Sequence, residues 1–345
     1  MKVYLILLVV AADYLQSIPV LSASDCKKYS CAPSTVNKQF SKSCIYTPSG
    51  SNQVYLWACS SSSTTNYCNI TSGSCQVPPP STQLSYVGEP CTSTSDCYLS
   101  TCLKFTCRGL SRDKPCNSQE QCDIGLRCDT NSLSCQPQIY VNETGCRSYY
   151  DCVNWATCNL TFNSHNGVCI PYHSVPIGKP VTDCVSGFSY LCESAYCTPN
   201  FSIGKLGICS EPPVSLNPMP KSCTTNFDCP GKVGVKNVNS NCVCGYNSIG
   251  FSYCSPFIGD SPGKNMLYSW KAALPLASSC NTARRGSDKC LKMIGKLGNI
   301  TQATLGYYFY PRYLANDDCV KLIYNYDFYY SGSLALSLLT SLFLF

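Results

Sequence analysis

The sequence predicts a small disulfide-rich fold: tandem four-cysteine modules of short hairpins and loops, followed by a C-terminal, partly helical region. Three observations lead there. The chain has 30 cysteines in 345 residues, an even number, and that density belongs to disulfide scaffolds of oxidising compartments. The stretch GEPCTSTSDCYLSTCLKFTCRG, residues 88–109, packs four cysteines with gaps of five, four and four, and its spacing recurs downstream. The last third then changes to helical composition with clustered basic residues. A zinc protein is the competing reading, but no Cys-x2-Cys pair occurs and His165 and His173 are the only histidines. Structural zinc sites normally show such knuckles, and a thioredoxin-type redox motif needs the same pair. The cysteines are therefore expected to be half-cystines, with no metal and no cofactor.

In chain order, residues 1–24 read as a secretory signal peptide. Lys2 is followed by an apolar run and by small residues in PVLSAS, with cleavage expected after Ser22 or Ser24, or after Ala12. Residues 25–76 form a six-cysteine N-terminal module: Cys26, Cys31, Cys44, Cys59, Cys68 and Cys75. Within it QVYLWAC alternates as a strand does. Residues 77–87 read as a Pro-rich, extended linker.

Residues 88–210 are tandem four-cysteine repeats. GEPCTSTSDC, RDKPCNSQEQC and NETGCRSYYDC each carry Cys-x5-Cys. With the cysteines that follow, the units hold Cys91, Cys97, Cys102 and Cys107; Cys116, Cys122, Cys128 and Cys135; and Cys146, Cys152, Cys158 and Cys169. A looser copy holds Cys184, Cys192, Cys197 and Cys209. Units of about 20 to 30 residues are too small to fold on a hydrophobic core. The Asp preceding the second cysteine suits an Asx-turn, accepting an N–H two residues on. Four cysteines allow three connectivities. Adjacent pairing leaves the halves of a unit unlinked, and nested pairing stacks both bridges along one hairpin. The crossed pattern ties the halves together without a core, so Cys91–Cys102 and Cys97–Cys107 are expected, and likewise Cys116–Cys128, Cys122–Cys135, Cys146–Cys158, Cys152–Cys169, Cys184–Cys197 and Cys192–Cys209.

EPPVSLNPMP spans a second Pro-rich linker, residues 211–220, and the array is expected to bend at both linkers. Residues 221–324 join a last repeat, PMPKSCTTNFDC onward, to the basic helical region. Its five cysteines (Cys223, Cys229, Cys242, Cys244, Cys254) and the three that follow (Cys280, Cys290, Cys319) are both odd counts. At least one bridge between the two is therefore expected. Residues 264–296 hold seven basic residues, Lys264, Lys271, Arg284, Arg285, Lys289, Lys292 and Lys296, against Asp288 alone. That excess equals the net charge of the whole chain, +6. Pro275 is expected to end a first helix and Ser287 to cap a second. The segment reads equally as a site for anionic glycan or lipid headgroups and as a solvated helix face.

Residues 325–345 end in a short apolar stretch with no basic residue after it. A spanning helix needs about 20 apolar residues, so the tail reads as a GPI-attachment signal, with Asn325 or Ser331 as lipidation candidates. Five N-x-[ST] sequons, at Asn69, Asn142, Asn159, Asn200 and Asn299, are glycosylation candidates.

No catalytic constellation emerges. There is no G-x-S-x-G elbow and no HExxH. His165 and His173 flank Cys169 in what reads as a solvated loop, and GDSPGK, residues 259–264, lacks P-loop spacing. No catalytic residue is assigned, and the chain is not expected to be an enzyme. The tyrosine-rich runs YYFYPRY, residues 307–313, and YNYDFYY, residues 324–330, suit recognition, although packing on the helices is the favoured reading.

The unit Cys-x5-Cys with Asp before its second cysteine, continued by Cys-x4-5-Cys, resembles the amino-terminal cysteine-rich module of Dickkopf-type proteins. Tandem copies resemble cysteine-rich surface proteins of ciliates and social amoebae. The resemblance covers roughly residues 88–254. It implies a module type; the family's receptor-binding C-terminal domain has no counterpart here. The expectation is a secreted, GPI-anchored surface glycoprotein on the extracellular face of the plasma membrane, reached by the secretory pathway. Its expected role is recognition or adhesion toward a protein or glycan partner, with an outer-leaflet lipid anchor and no nucleic acid. A passive coat protein and a soluble signalling ligand are the alternatives.

Overall fold

The computed structural model describes residues 26–33, 42–59, 67–69, 71–77, 84–160, 166–185, 187–199, 206–310 and 319. The expected signal peptide, the lipidation candidates Asn325 and Ser331, the run 324–330, His165 and Asn200 lie outside them. The fold class is the expected one: a disulfide-rich chain of short hairpins in small sheets, with a helical region at its C-terminal side.

All thirty cysteines are bridged. Within the four repeats the pairing is first-to-third and second-to-fourth throughout. Cys91–Cys102 and Cys97–Cys107 have Cα separations of 5.9 and 5.7 Å, inside the range of ordinary bridges. The last repeat is crossed as well, Cys223–Cys242 and Cys229–Cys254. So is part of the N-terminal module, Cys44–Cys68 and Cys59–Cys75, which therefore contains a sixth unit.

One plan builds the units. The residue that opens a unit pairs in parallel with the second cysteine: Ser85 with Cys97, Leu110 with Cys122, Ile139 with Cys152, Val175 with Cys192. A turn with a left-handed residue follows, at Gly88, Asp113, Asn142 or Gly178. The first unit thus begins at Ser85, inside the stretch expected to be linker. A single 3-10 turn then connects the first two cysteines, at Thr94–Asp96, Gln119–Gln121, Tyr149–Asp151 and, in the last repeat, Asn226–Asp228. A hairpin sets the third and fourth cysteines opposite each other. Burial centres on the bridges; in the second unit the core is Cys116, Cys122, Cys128 and Cys135 with Leu110 and Leu126 packed on them.

The acid before the second cysteine does not make an Asx-turn. It reaches back: Asp96 Oδ2 accepts from Thr92 N at 2.8 Å and Ser93 N at 2.9 Å. Asp151 and Asp228 repeat this on Arg147 and Ser148, and on Thr224 and Thr225. Gln121 Oε1 does the same with Asn117 and Ser118, which explains why an amide substitutes there. The arrangement is a capping box. It satisfies the N–H groups of the N-cap residue and of the residue before it, which enter the turn. These bonds, led by that from the Thr92 hydroxyl, hold the Asp96 carboxyl far below the usual carboxylate range.

Among the described residues three helices follow: α1 (Ser261–Ala273), α2 (Asp288–Met293) and α3 (Leu297–Tyr308). Helix α1 ends before Pro275, passing into a 3-10 segment, Leu274–Ser279. Ser287 caps α2, accepting from Cys290 N at 3.2 Å. The cluster Ala273, Leu291 and Ile300 joins the three helices, with Trp270 and Phe309 packed on it.

Cysteine parity leads to a different answer from the one expected. No bridge joins the last repeat to the helical region directly. Cys280 pairs with Cys290, while Cys26 pairs with Cys244 and Cys31 with Cys319. The N-terminal module supplies the odd partner to each. It does so because Lys28–Cys31 lies as an outer strand beside Gln53–Leu56, which carries Cys26 and Cys31 out of the module's own crossed unit. The second linker is also no hinge. Val214–Ser215 pairs with Pro230–Val233, and Asp260 accepts from Ser215 N at 2.9 Å and Ser215 Oγ at 2.6 Å.

Candidate functional site

The helical region is the spine against which the units rest. Residues 277–290 cross the first three of the four repeats. Asn281 donates from Nδ2 to the carbonyls of Gln119 and Cys122 at 3.0 and 3.1 Å. Asn154 Nδ2 answers from the third unit, donating to the carbonyls of Ala277 and Cys280. Ser287 Oγ donates to Glu89 Oε1 at 2.6 Å, and Thr282 Oγ1 to Tyr150 O at 2.9 Å. Gly88 is needed for this approach: its φ is +92°, and a Cβ there would lie 2.3 Å from Ser279 O.

Where the third and fourth units meet the helices, the packing leaves an apolar cavity of about 140 Å³. Its wall comes mainly from five places. The 3-10 turn of the third unit supplies Tyr149 and Tyr150. The connection to the fourth unit supplies Tyr172 and His173. The long first gap of the fourth unit, Cys184 to Cys192, supplies Phe188 and Tyr190. Helix α1 adds Met266, Leu267 and Trp270, spaced to face one side, and α3 adds Thr304 and Tyr308 one turn apart. The rings pack edge to face: Phe188 to Tyr190 at 5.1 Å and Tyr172 to Tyr190 at 6.0 Å between centroids. Aromatic pairs favour this geometry.

Polar groups on this wall are few and buried. His173, expected to be solvated, is 8% exposed. The chain turns it inward because His173 N donates to Tyr190 O at 2.7 Å, and its Nδ1 lies 3.1 Å from Cys192 O. A carbonyl only accepts, so Nδ1 carries the proton and Nε2 is an acceptor. Burial lowers its pKa to about 4, and the Lys271 charge acts in the same direction. Burial also pushes the phenols of Tyr149 and Tyr190 well above their usual range. Arg285 is 7% exposed and lies 5.5 and 5.2 Å from the rings of Tyr149 and Tyr172, in the range of cation–π attraction. Among the described residues the buried hydroxyl of Thr304 has no hydrogen-bond partner.

The basic segment divides: Lys264 and Lys292 are exposed, while other members turn toward the units. Arg284 lies 4.1 Å over the Tyr86 ring and 3.8 Å from Glu120 Oε1. Lys289 Nζ donates to Ser85 Oγ at 3.1 Å and Lys271 Nζ to Glu193 O at 3.5 Å. Part of the clustered charge, Arg284, Arg285 and Lys289, is thus turned toward the units. Of the tyrosine-rich run 307–313, Phe309 packs on the helical core and Tyr308 lines the cavity. Among the sequons, Asn142 and Asn299 are exposed, whereas Asn69 and Asn159 are half-buried on hairpin strands.

Among the described residues no helix is long and apolar enough to cross a membrane. No family model, no curated protein and no solved structure matches the chain.

Proposed function

We propose that the protein is a secreted recognition protein of the cell surface that binds a small apolar ligand in the cavity between its repeats and its helices. One observation carries this reading: a space of about 140 Å³, walled by aromatic rings, in a molecule whose repeat interiors are filled by disulfides. An apolar cavity of about 150 Å³ is large enough to hold benzene. The binding wall is braced on three sides by bridged units and helices, so the site is formed before the ligand arrives, which favours affinity. The cysteine content supports the extracellular setting. Signal peptide, glycosylation at exposed Asn142 and Asn299, and a lipid anchor complete the proposal and follow from the sequence.

Adhesion through protein contacts is a second reading, favoured by apolar side chains at exposed loop tips. Phe105 is 78% exposed on the first unit's hairpin, and Val235 is 93% exposed on the last repeat's. Titration with toluene tests the first reading. A saturable rise in melting temperature supports it, and no change up to toluene's solubility limit contradicts it. Treatment of expressing cells with a phosphoinositide-specific phospholipase tests the anchor: release of the protein supports it, and retention contradicts it.

A further inference from the structure

The cavity wall contains a cation without an anion. Arg285 is buried, yet no carboxylate among the described residues lies within ion-pair distance of it. Among the described residues its guanidinium donates to two backbone carbonyls, Tyr149 O at 3.2 Å and Asn154 O at 3.5 Å. A guanidinium has five N–H donors, so most of its capacity is unused. The other shielded arginines differ. Arg127 meets Asp129 and Asp151 at 2.9 and 3.1 Å, and Arg284 meets Glu120. Burying an uncompensated charge is costly, and here the cost falls on a residue that faces an empty apolar space.

No acidic residue lines that space. Lys271, whose charge acts on His173, is also positive. Asp183, whose charge acts on Tyr172 and Tyr190, is not on the wall and is bonded to Ser189 Oγ and Tyr190 N. The formal charge on the wall itself is that of Arg285, which favours an anion. The rings of Tyr172, Tyr190, Phe188 and Trp270 favour a flat apolar body. Thr304 on the same wall is 2% exposed, and its Oγ1 has no partner among the described residues, which adds one hydrogen-bonding group for a polar atom of the ligand.

We propose that the ligand is a small aromatic carboxylate, its ring held among the tyrosines and its carboxylate paired with Arg285. This rests on the cavity being a binding site, and it assigns the ligand's charge. An arginine–carboxylate pair is short, charge-assisted and commonly bidentate, and in this setting it neutralises a charge that has carbonyls and rings for partners among the described residues.

The test compares benzoate with its neutral isostere benzamide on the intact protein by calorimetry, with toluene as the apolar reference. Benzoate is expected to bind about tenfold more tightly than benzamide. In Arg285→Gln that preference is expected to vanish while benzamide binding persists; Arg285→Lys keeps the charge, loses the planar fork, and is expected to retain part of the preference. Because the wild-type comparison needs no variant, a folding defect in Arg285→Gln does not obscure the result. Equal affinity for benzoate and benzamide overturns the carboxylate assignment and leaves the cavity as a neutral apolar site. Absence of saturable binding by all three compounds overturns both readings.

Discussion

Cys102 and Cys107 face each other as partners across the first unit's hairpin, yet neither is bonded to the other. Cys102 is bridged to Cys91 and Cys107 to Cys97. The hairpin is thereby fastened at one level to both halves of the loop before it. The same relationship holds for Cys128 and Cys135, Cys158 and Cys169, Cys197 and Cys209, Cys242 and Cys254, and Cys68 and Cys75. Each unit so becomes a rigid block without a conventional core, and blocks of this kind can hold aromatic side chains at the edge of a cavity.

The N-terminal module is locked to the far end of the chain by Cys26–Cys244 and Cys31–Cys319. A protease site inserted within residues 78–83 should give, after cleavage, two pieces that stay together on a non-reducing gel and separate on reduction. Separation without reductant would contradict these two bridges and restore a self-contained six-cysteine module.

Much of this was legible in the sequence. Cysteine spacing implied the units and, from the need to join their halves, the crossed pairing. Pro275 and Ser287 marked the helix boundaries by local chemistry alone. The sixth unit was missed, although CNITSGSCQ, residues 68–76, matches CDTNSLSCQ, residues 128–136, in its polar pattern. In both, the two hairpin serines contact each other through Oγ, and the following Gln donates to the second of them. The aromatic cavity was not legible, because its wall combines Tyr149, Tyr172, Phe188 and Tyr308 from separate elements. No periodic pattern announces such a meeting. The basic segment misled for a related reason: its charge count is local, but where Arg284 and Arg285 point is decided by packing on Tyr86 and Tyr149.

Asn154 is the buried link between the third unit and the spine. Asn154→Ala leaves the carbonyls of Ala277 and Cys280 without this donor, and should destabilise the protein by about 2–3 kcal/mol. Asn154→Asp sets a carboxylate against those carbonyls and should cost more. Urea denaturation of both variants checks this; midpoints within error of wild type would contradict the spine arrangement.

His173 supplies a pH dependence. Its ordinary pKa of 6.5 falls to about 4 in the folded protein, chiefly through burial. Between these values the unfolded chain binds the extra proton and the folded one does not. The contribution of the neutral ring is therefore fully present above about pH 6.5 and is lost as the pH falls toward 4, by about 3 kcal/mol in full. The groups packed against the ring are Tyr172, Tyr190, Phe188 and the Cys192 carbonyl, with Lys271 acting on it through its charge. Glu89, Asp183 and Asp288, whose pKa values burial raises, act in the opposite direction. The histidine term must accordingly be read as wild type minus His173→Gln. That difference in unfolding free energy should shrink on going from about pH 7 to about pH 4.5; a constant difference would contradict a buried neutral histidine.

The central claim is that the aromatic cavity is where this protein binds its ligand, and side-chain NMR of the intact protein tests it most directly. With aromatic side chains labelled, saturating benzoate should shift the ring signals of Tyr149, Tyr172, Tyr190 and Trp270 together, along one binding curve, and leave the exposed Phe105 and Phe227 unmoved. Shifts confined to Phe105 and Phe227, or no saturable shift at any ring, would contradict it.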